Sequence, residues 1–267
     1  YGMMRRKGAD NAYAIGDKMT ERHMGFFALH KRQFAGAAAI LLLVIGVLLV
    51  SFPFVSQRIT ANAQVKVGEE YSYIANQDSE ERFAKALAAN ESGDYKAALS
   101  ELTLDNIEVI SRLYIPKIDL DLPVYPDDSD ASLGKGAGWL PGTSLPVGGN
   151  STRSVITGHS GIQTHRMFDR LPKLENGDEV FVETLGNNLT YKVIDSKVDT
   201  PKDGMKHLKI ERNKDLLTLV TCTPYGVNTH RLIITAQRVP NTEEIIVPQV
   251  SSNYPSWVLP AAGVSFL

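Results

Sequence analysis

The hydropathy of the chain changes character three times, and each change predicts a boundary. Residues 1–33 are polar and mixed in charge with no sustained period, which reads as a disordered tail. Phe34 to Val55 then runs for about 22 residues without a charge, about 33 Å as a helix and enough for the hydrocarbon core of a bilayer. Over 56–106 a helical spacing takes over. In SEERFAKALAAN, Phe83, Ala86 and Leu87 share a face, with Ser79 placed as the N-cap; Gly93 breaks the run and YKAALSEL resumes it. This segment is predicted as a helical stalk, or as a layer packed on the domain that follows. From Ile107 the texture becomes short β-rich runs between Gly, Pro, Asn and Asp clusters. The predicted strands are Arg112–Ile115, Pro123–Tyr125, Ser154–Thr157, Glu179–Glu183, Leu189–Val198, Leu216–Thr221 and Arg231–Arg238, with a helical turn or two around Thr164–Leu171. Strands of this number and spacing predict a mostly β domain over 107–240, a closed barrel or a sandwich. Residues 241–267 form a tail whose end, Pro255 to Leu267, turns apolar again. It reads equally as a hydrophobic tail and as the start of a second membrane segment.

Charge places the apolar run. Lys31 and Arg32 flank its N-terminal side, with Arg5, Arg6, Lys7, Lys18 and Arg22 further back, whereas the near C-terminal side carries only Arg58 and Lys66. The positive-inside rule then predicts a cytoplasmic N-terminus and an extracellular β domain. The run is longer than the apolar core of a signal peptide, and Phe52-Pro53-Phe54 is not a small-residue cleavage site, so a retained anchor is predicted over 34–55. A formal net charge of −2 gives no footprint for a nucleic-acid partner.

The chain has one cysteine, Cys222, in the string TLVTCTPYGVNTHRL. It ends an apolar β-branched run, and Arg231 follows nine positions later. About 60 residues upstream another such run ends in Gly158-His159. A free thiol has a pKa near 8.5, so a nucleophilic cysteine needs an imidazole, a cation or a helix N-terminus beside it. His159 and Arg231 are the residue types that serve: an acid/base, and a permanent cation able to hold a carbonyl or an oxyanion. The bland alternative is a cysteine buried in a core, a loop histidine and an arginine on a strand's surface. His165, His207 and His230 are other candidate bases. His165 falls in the predicted helical turn, His207 in a Lys-rich loop, and His230, adjoining Arg231 on a strand, faces the other way. No His and carboxylate spacing suits a metal, one cysteine excludes a thiolate zinc cluster, and Gly134, Gly136 and Gly138 precede no helix signal that would make a phosphate loop. No cofactor is implied.

The pieces IPKIDLDLPVY (Ile115–Tyr125), GTSLPVGG (Gly142–Gly149), ITGHSG (Ile156–Gly161) and TLVTCTPYGVNTHRL (Thr218–Leu232) resemble the sortases, membrane-anchored cysteine transpeptidases of Gram-positive bacteria. The Thr-Leu-X-Thr-Cys signature stands at Thr218–Cys222, and its extension resembles class C, the pilin-polymerising sortases. The resemblance implies an eight-stranded β-barrel with short helices, Cys222 as nucleophile, His159 as acid/base and Arg231 as the oxyanion or positioning group. Thr221, Thr223 and Tyr225 are the candidate substrate-binding residues. It implies cleavage of a Leu-Pro-X-Thr-Gly-type signal between Thr and Gly through a thioacyl enzyme, with pilin or surface-protein substrates bearing C-terminal sorting signals. In class C the resolving amine is a pilin lysine, which gives a pilus; in housekeeping enzymes it is lipid II. Class C enzymes also carry a lid with an Asp-Pro-aromatic motif. No such triplet lies between Gln57 and Ile115, which leaves the segment from about Gln77 to Asn106 as the candidate lid. Leu140-Pro141-Gly142-Thr143-Ser144 mimics a sorting signal, but with no apolar span and basic tail behind it, it reads as a loop. Three readings stay open: pilin polymerisation, wall anchoring through lipid II, and a non-catalytic membrane-tethered binding domain.

Overall fold

The computed structural model describes residues 6–75, 79–104, 107–161 and 167–241, with side chains from residue 35 onward. The chain divides into two compact units, Tyr1–Val55 and Ser56–Leu267.

The described residues of the first unit belong to a single helix, α1 (Arg6–Ala75). Residues expected as a disordered tail are therefore helical from Arg6: the polar stretch runs without a proline into the apolar one. The helix from Ala35 is long and apolar enough to cross a membrane by length and composition, and its Ile, Leu, Val and Phe side chains between Ile40 and Val55 are exposed. Pro53 sits inside it. The apolar tail expected after Pro255 lies outside the described residues.

The second unit is a closed barrel of eight strands. They are β1 (Ser111–Ile115), β2 (Leu120–Tyr125), β3 (Ala137–Trp139), β4 (Thr152–Thr157), β5 (Glu179–Thr184), β6 (Asn187–Asp199), β7 (Asp215–Thr223) and β8 (His230–Val239), in the order β1-β2-β3-β4-β7-β8-β6-β5, with β5 pairing back onto β1. Closure leaves no free sheet edge. Hydropathy predicts seven of these strands. The eighth, β3, has only three residues, one of them Gly138, and is too short and too poor in β-branched residues to register. A Cβ at Gly136, just before it, would lie 2.5 Å from the Pro123 carbonyl, and one at Gly138 would crowd the Asp127 carbonyl, so these two glycines serve close backbone packing.

Alternation on the central strands sorts side chains by face. Leu217 and Leu219 of β7, Leu232, Ile234 and Ala236 of β8 and Ile156 of β4 point into the core. Cys222, Arg231 and Ile233 fall on the outer face.

Two helices precede the barrel, α2 (Glu80–Ser92) and α3 (Tyr95–Leu102). Ser79 occupies the N-cap of α2, but its side chain makes no capping bond; the acidic Glu80 and Glu81 complement the helix dipole instead. Gly93 ends α2 at a φ of 79°, and the Asp94 side chain caps α3 by accepting from the Ala97 N–H. Both helices, with residues 56–75 of α1, are docked on the barrel. Tyr71 Oη donates to the Ile110 carbonyl at 2.8 Å and accepts from the Leu185 N–H at 2.9 Å. Asn90 donates to the Leu145 and Gly148 carbonyls at 3.0 and 2.8 Å and accepts from the Leu145 N–H at 2.7 Å.

The β6–β7 connection folds as a helical turn, α4 (Pro201–Gly204), and a 3-10 turn (Met205–Leu208), where a Lys-rich loop was expected. It packs against β8 and β6, with Gly204 against Ile233 on the outer face of β8. Arg153, buried on β4, fastens its end: Nε donates to the Lys209 carbonyl at 2.7 Å, Nη1 to Thr218 Oγ1 at 2.8 Å, and Nη2 pairs with Glu211 at 2.7 Å.

Candidate active site

Cys222 is the penultimate residue of β7, and the strand register sets it directly opposite Arg231 on β8. Residues directly opposite on an antiparallel pair present their side chains to one face with Cβ atoms about 5 Å apart. Cys222 and Arg231 therefore project from neighbouring positions on the outer face of the barrel. Both are half-buried, which removes the reading of Cys222 as a core residue.

His159 reaches the same end by a different route. β4 runs parallel to β7, pairing Thr157 with Val220. Hydrogen bonds extend this contact past the end of the strand. The Gly158 N–H donates to the Val220 carbonyl at 3.1 Å, Thr221 Oγ1 donates to the Gly158 carbonyl at 2.7 Å, and Ser160 Oγ donates to the Cys222 carbonyl at 2.6 Å. His159 lies between these ties, level with Cys222, and its carbonyl accepts from the Phe168 N–H at 3.0 Å. Gly158 is required here by close approach: a Cβ would sit 2.8 Å from the Phe168 ring. The 3-10 turn Phe168–Lys173 supplies that ring, one turn later than the sequence pattern placed it, while residues 162–166, with His165, lie outside the described residues.

The structure thus brings His159, Cys222 and Arg231 together, and it sorts the neighbouring residues. Thr221 was a candidate to bind substrate; it is buried, on the inner face, with its hydroxyl given to the Gly158 carbonyl, so it holds the His159 loop instead. The cause is the alternation that turns Cys222 outward. Thr223 is half-buried, and Tyr225 is exposed on the β7–β8 connection after a cis Thr223–Pro224 bond. His230 pairs with Thr223 rather than Cys222, and its Nδ1 is 2.9 Å from Thr229 Oγ1, consistent with a ring turned away from the thiol. Arg231 Nη1 donates to the Asn228 and His230 carbonyls at 3.3 and 3.1 Å. Exposed Met205, Tyr225 and Val227 add apolar surface on the connections at this end.

Sequence reasoning passed over Asp199 and underrated His207. Asp199 ends β6, directly opposite Arg231 across the β6–β8 pair. Its Oδ2 is 2.9 Å from Lys206 Nζ and 3.2 Å from His207 Nε2, and Oδ1 accepts from the Thr200 N–H at 2.9 Å. The Lys206 hydrogen bond, aided by Thr200 and His207, lowers the Asp199 pKa to about 2. A lone Asp at the end of a predicted strand gives no signal of this; only the register of β6 with β8 does. Among the described residues no cluster of His, Cys, Asp and Glu could hold a metal ion.

The described part of the segment read as a candidate lid is tied to the barrel at the other end of β7. The described residues 79–104 meet the barrel through Asn90 and Leu87 at residues 145–149, next to Thr152 and Asp215, where β4 and β7 begin. Cys222 is seven residues along β7 from Asp215, about 23 Å at 3.3 Å per residue. The turn at Leu140–Thr143, which mimics a sorting signal, is tied to β4: the Leu140 N–H donates to the Val155 carbonyl at 2.9 Å, and Thr143 Oγ1 donates to the Leu140 carbonyl at 2.8 Å.

Comparison with known proteins agrees with this architecture. The family model described as the sortase domain matches residues 113–239. A sortase A of Bacillus anthracis is 26% identical over 79% of this chain and 97% of its own length. Among solved structures, sortase C-1 of Actinomyces oris is 41% identical, with a TM-score of 0.58 over 61% of this chain and 100% of the other. Sortase C of Streptococcus pneumoniae, described in connection with pilin substrate specificity, is 34% identical, with a TM-score of 0.62 over 67% of this chain and 100% of the other.

Proposed function

The chain belongs to the sortase family, and from that premise we propose that it is a membrane-anchored cysteine transpeptidase that cleaves a Leu-Pro-X-Thr-Gly-type sorting signal and joins the acyl group to a pilin lysine. The observation that carries the reading is the register that sets Cys222 against Arg231, with the His159 loop hydrogen-bonded to the thiol's own strand.

In this mechanism the Cys222 thiolate attacks the threonine carbonyl carbon. The carbonyl π pair moves onto oxygen, and Arg231 holds the resulting oxyanion. As the oxyanion collapses, the C–N bond breaks, and the His159 imidazolium gives its proton to the departing glycine amine. A thioester to Cys222 remains. A neutral lysine amine then attacks the thioester, gives a proton to His159, and expels the thiolate; the product is an isopeptide bond and the enzyme is restored. The exposed apolar residues Met205, Tyr225 and Val227 suit the Leu-Pro part of the signal. The long apolar helix and the basic residues before it support an anchor with an extracellular barrel.

Support for pilin as the acceptor's source comes from the sortase C structures described in connection with pilin or pilus among the similar chains, at 34–37% identity. Wall anchoring to lipid II is the second reading, favoured by the curated relatives that carry the name sortase A. The test is to incubate the full chain in nanodiscs with a signal-bearing pilin, and separately with a lipid II analogue, and to weigh the covalent products. The expected product is pilin joined to pilin through a lysine, absent with Cys222→Ala. Products from lipid II alone would select the second reading, and products from the Cys222→Ala protein would remove the mechanism.

A further inference from the structure

Four side chains line up across three adjacent strands and the connection beside them: Cys222 on β7, Arg231 on β8, Asp199 on β6, and Lys206 on the 3-10 turn that follows. The first three are directly opposite one another in register, so they share the outer face. Arg231 therefore has two neighbours of opposite consequence. On one side is the thiol, where a substrate carbonyl would sit. On the other is a carboxylate about 5 Å away between Cβ atoms, the separation at which cross-strand charges attract.

Yet no ion pair joins Asp199 to Arg231 among the described residues. The Asp199 carboxylate is turned to Lys206 at 2.9 Å and His207 at 3.2 Å, with the Thr200 N–H on its other oxygen. Arg231 is left with main-chain carbonyls of the β7–β8 connection, at 3.1 and 3.3 Å. Neutral carbonyl acceptors hold a guanidinium less tightly than a carboxylate does. Asp203 is the other charge beside Lys206, and it is engaged by Thr200 Oγ1 at 2.7 Å.

We infer that Lys206 is a positioning residue: it occupies Asp199 and so keeps Arg231 available to a substrate on the Cys222 side. A guanidinium locked to Asp199 would face away from the thiol and carry its charge already compensated, and would offer less to a developing oxyanion. The charge balance is local. Removing the ammonium leaves Asp199 with the Thr200 N–H and His207 hydrogen bonds but no full positive charge, and with Arg231 directly across the ladder. Lys206 is more than half exposed, so its replacement leaves the fold intact.

The inference rests on the proposed role of Arg231, and the test separates the two. Full-length protein in nanodiscs, labelled with 15N-arginine, would be compared as wild type, Lys206→Met, Lys206→Arg, Asp199→Asn and the Lys206→Met/Asp199→Asn double variant. Two quantities would be read: the Arg231 Nε–H resonance, assigned with Arg231→Lys, and kcat for a fluorogenic Leu-Pro-X-Thr-Gly peptide. In Lys206→Met the resonance is expected to shift and kcat to fall about fivefold, the scale of a cross-strand charge pair. Lys206→Arg keeps the cation and should keep both values. Against the Asp199→Asn background, Lys206→Met should change neither, because no carboxylate is left to capture the arginine. An unmoved Arg231 resonance in Lys206→Met, or a loss of kcat that is equally large in the Asp199→Asn background, would overturn the inference. If the wild type fails to turn over the peptide at all, the proposed function falls, and the resonance alone decides the Lys206–Asp199–Arg231 relation.

Discussion

At the scale of single residues, alternation along a strand decides what each side chain can do. Cys222 and Arg231 are opposite in register and face outward, whereas Thr221, one position away, is turned inward and spends its hydroxyl on the Gly158 carbonyl. Arg231 offers the sharpest test of chemistry. Lysine keeps the charge but loses the planar fork of donors, so Arg231→Lys should retain part of the activity. Arg231→Ala should lose about 3 kcal/mol of transition-state stabilisation, roughly a hundredfold in kcat/KM. A loss below about threefold would make Arg231 a surface residue of the ladder. Ser154 poses a question of stability instead. It pairs with Leu217 on the inward-facing alternation of β4, and its buried hydroxyl has no hydrogen-bond partner. Ser154→Ala removes that unsatisfied group and should stabilise the barrel by about 1 kcal/mol in urea unfolding. A clear loss would mean that the hydroxyl is satisfied by a bound water.

At the scale of elements, the two ends of β4 and β7 carry separate tasks. Their C-terminal ends hold His159 and Cys222; their N-terminal ends hold Thr152 and Asp215, where α2 docks through Asn90. Asn90→Ala strips partners from a buried amide N–H and from main-chain carbonyls together, and should cost about 2 kcal/mol of stability. Because that contact is about 23 Å along β7 from the thiol, the rate of Cys222 alkylation by iodoacetamide in the folded variant should match the wild type. Faster alkylation would show that α2 restricts the site after all. The helices were legible from Phe83, Ala86 and Leu87 and from Gly93, but where they dock was not. Helical periodicity shows that a face is buried and says nothing of the surface that buries it. Asn90, the residue that makes the dock, reads in sequence as an ordinary polar helix end.

At the scale of the whole molecule, the barrel carries buried carboxyls whose titration opposes the usual acid instability. Glu183 is buried between Ser72, whose hydroxyl donates at 2.7 Å, and the Arg112–Asp121 pair, and burial pushes its pKa above the ordinary 4.5 despite these partners. Burial likewise raises Asp215, against the hydrogen bonds from the Gly149 N–H and Tyr191. A carboxyl raised in the folded state binds its proton more tightly there than in the unfolded chain. Its contribution is therefore full below the unfolded pKa and is lost as pH rises through the folded one. The stability difference between wild type and Glu183→Gln should be most favourable to wild type near pH 4 and decline toward neutrality, as urea denaturation across that range would read. A difference that grows with pH would reverse the assignment. Asp199, lowered to about 2, has the opposite sign: its contribution is present above the ordinary 3.8 and is lost as pH falls toward 2.

The sequence by itself determined the elements and the cast. Short β-rich runs between turn residues marked seven of eight strands, an uncharged run marked the apolar part of α1, and a solitary thiol at a strand end, a Gly-His and an arginine nine positions on marked the candidate site. These are local properties, written in the order of neighbouring residues. Only the tertiary structure decided which strands are neighbours. Nothing in the order of residues says that β4 lies beside β7 in parallel or that β6 closes onto β8, because those pairings are fixed by burying one shared core in a closed barrel. From those two pairings come the approach of His159 to Cys222, the inward turn of Thr221, and the placing of Asp199 and Lys206 behind Arg231. Each is a matter of register between strands far apart in the chain, and register belongs to the packed whole.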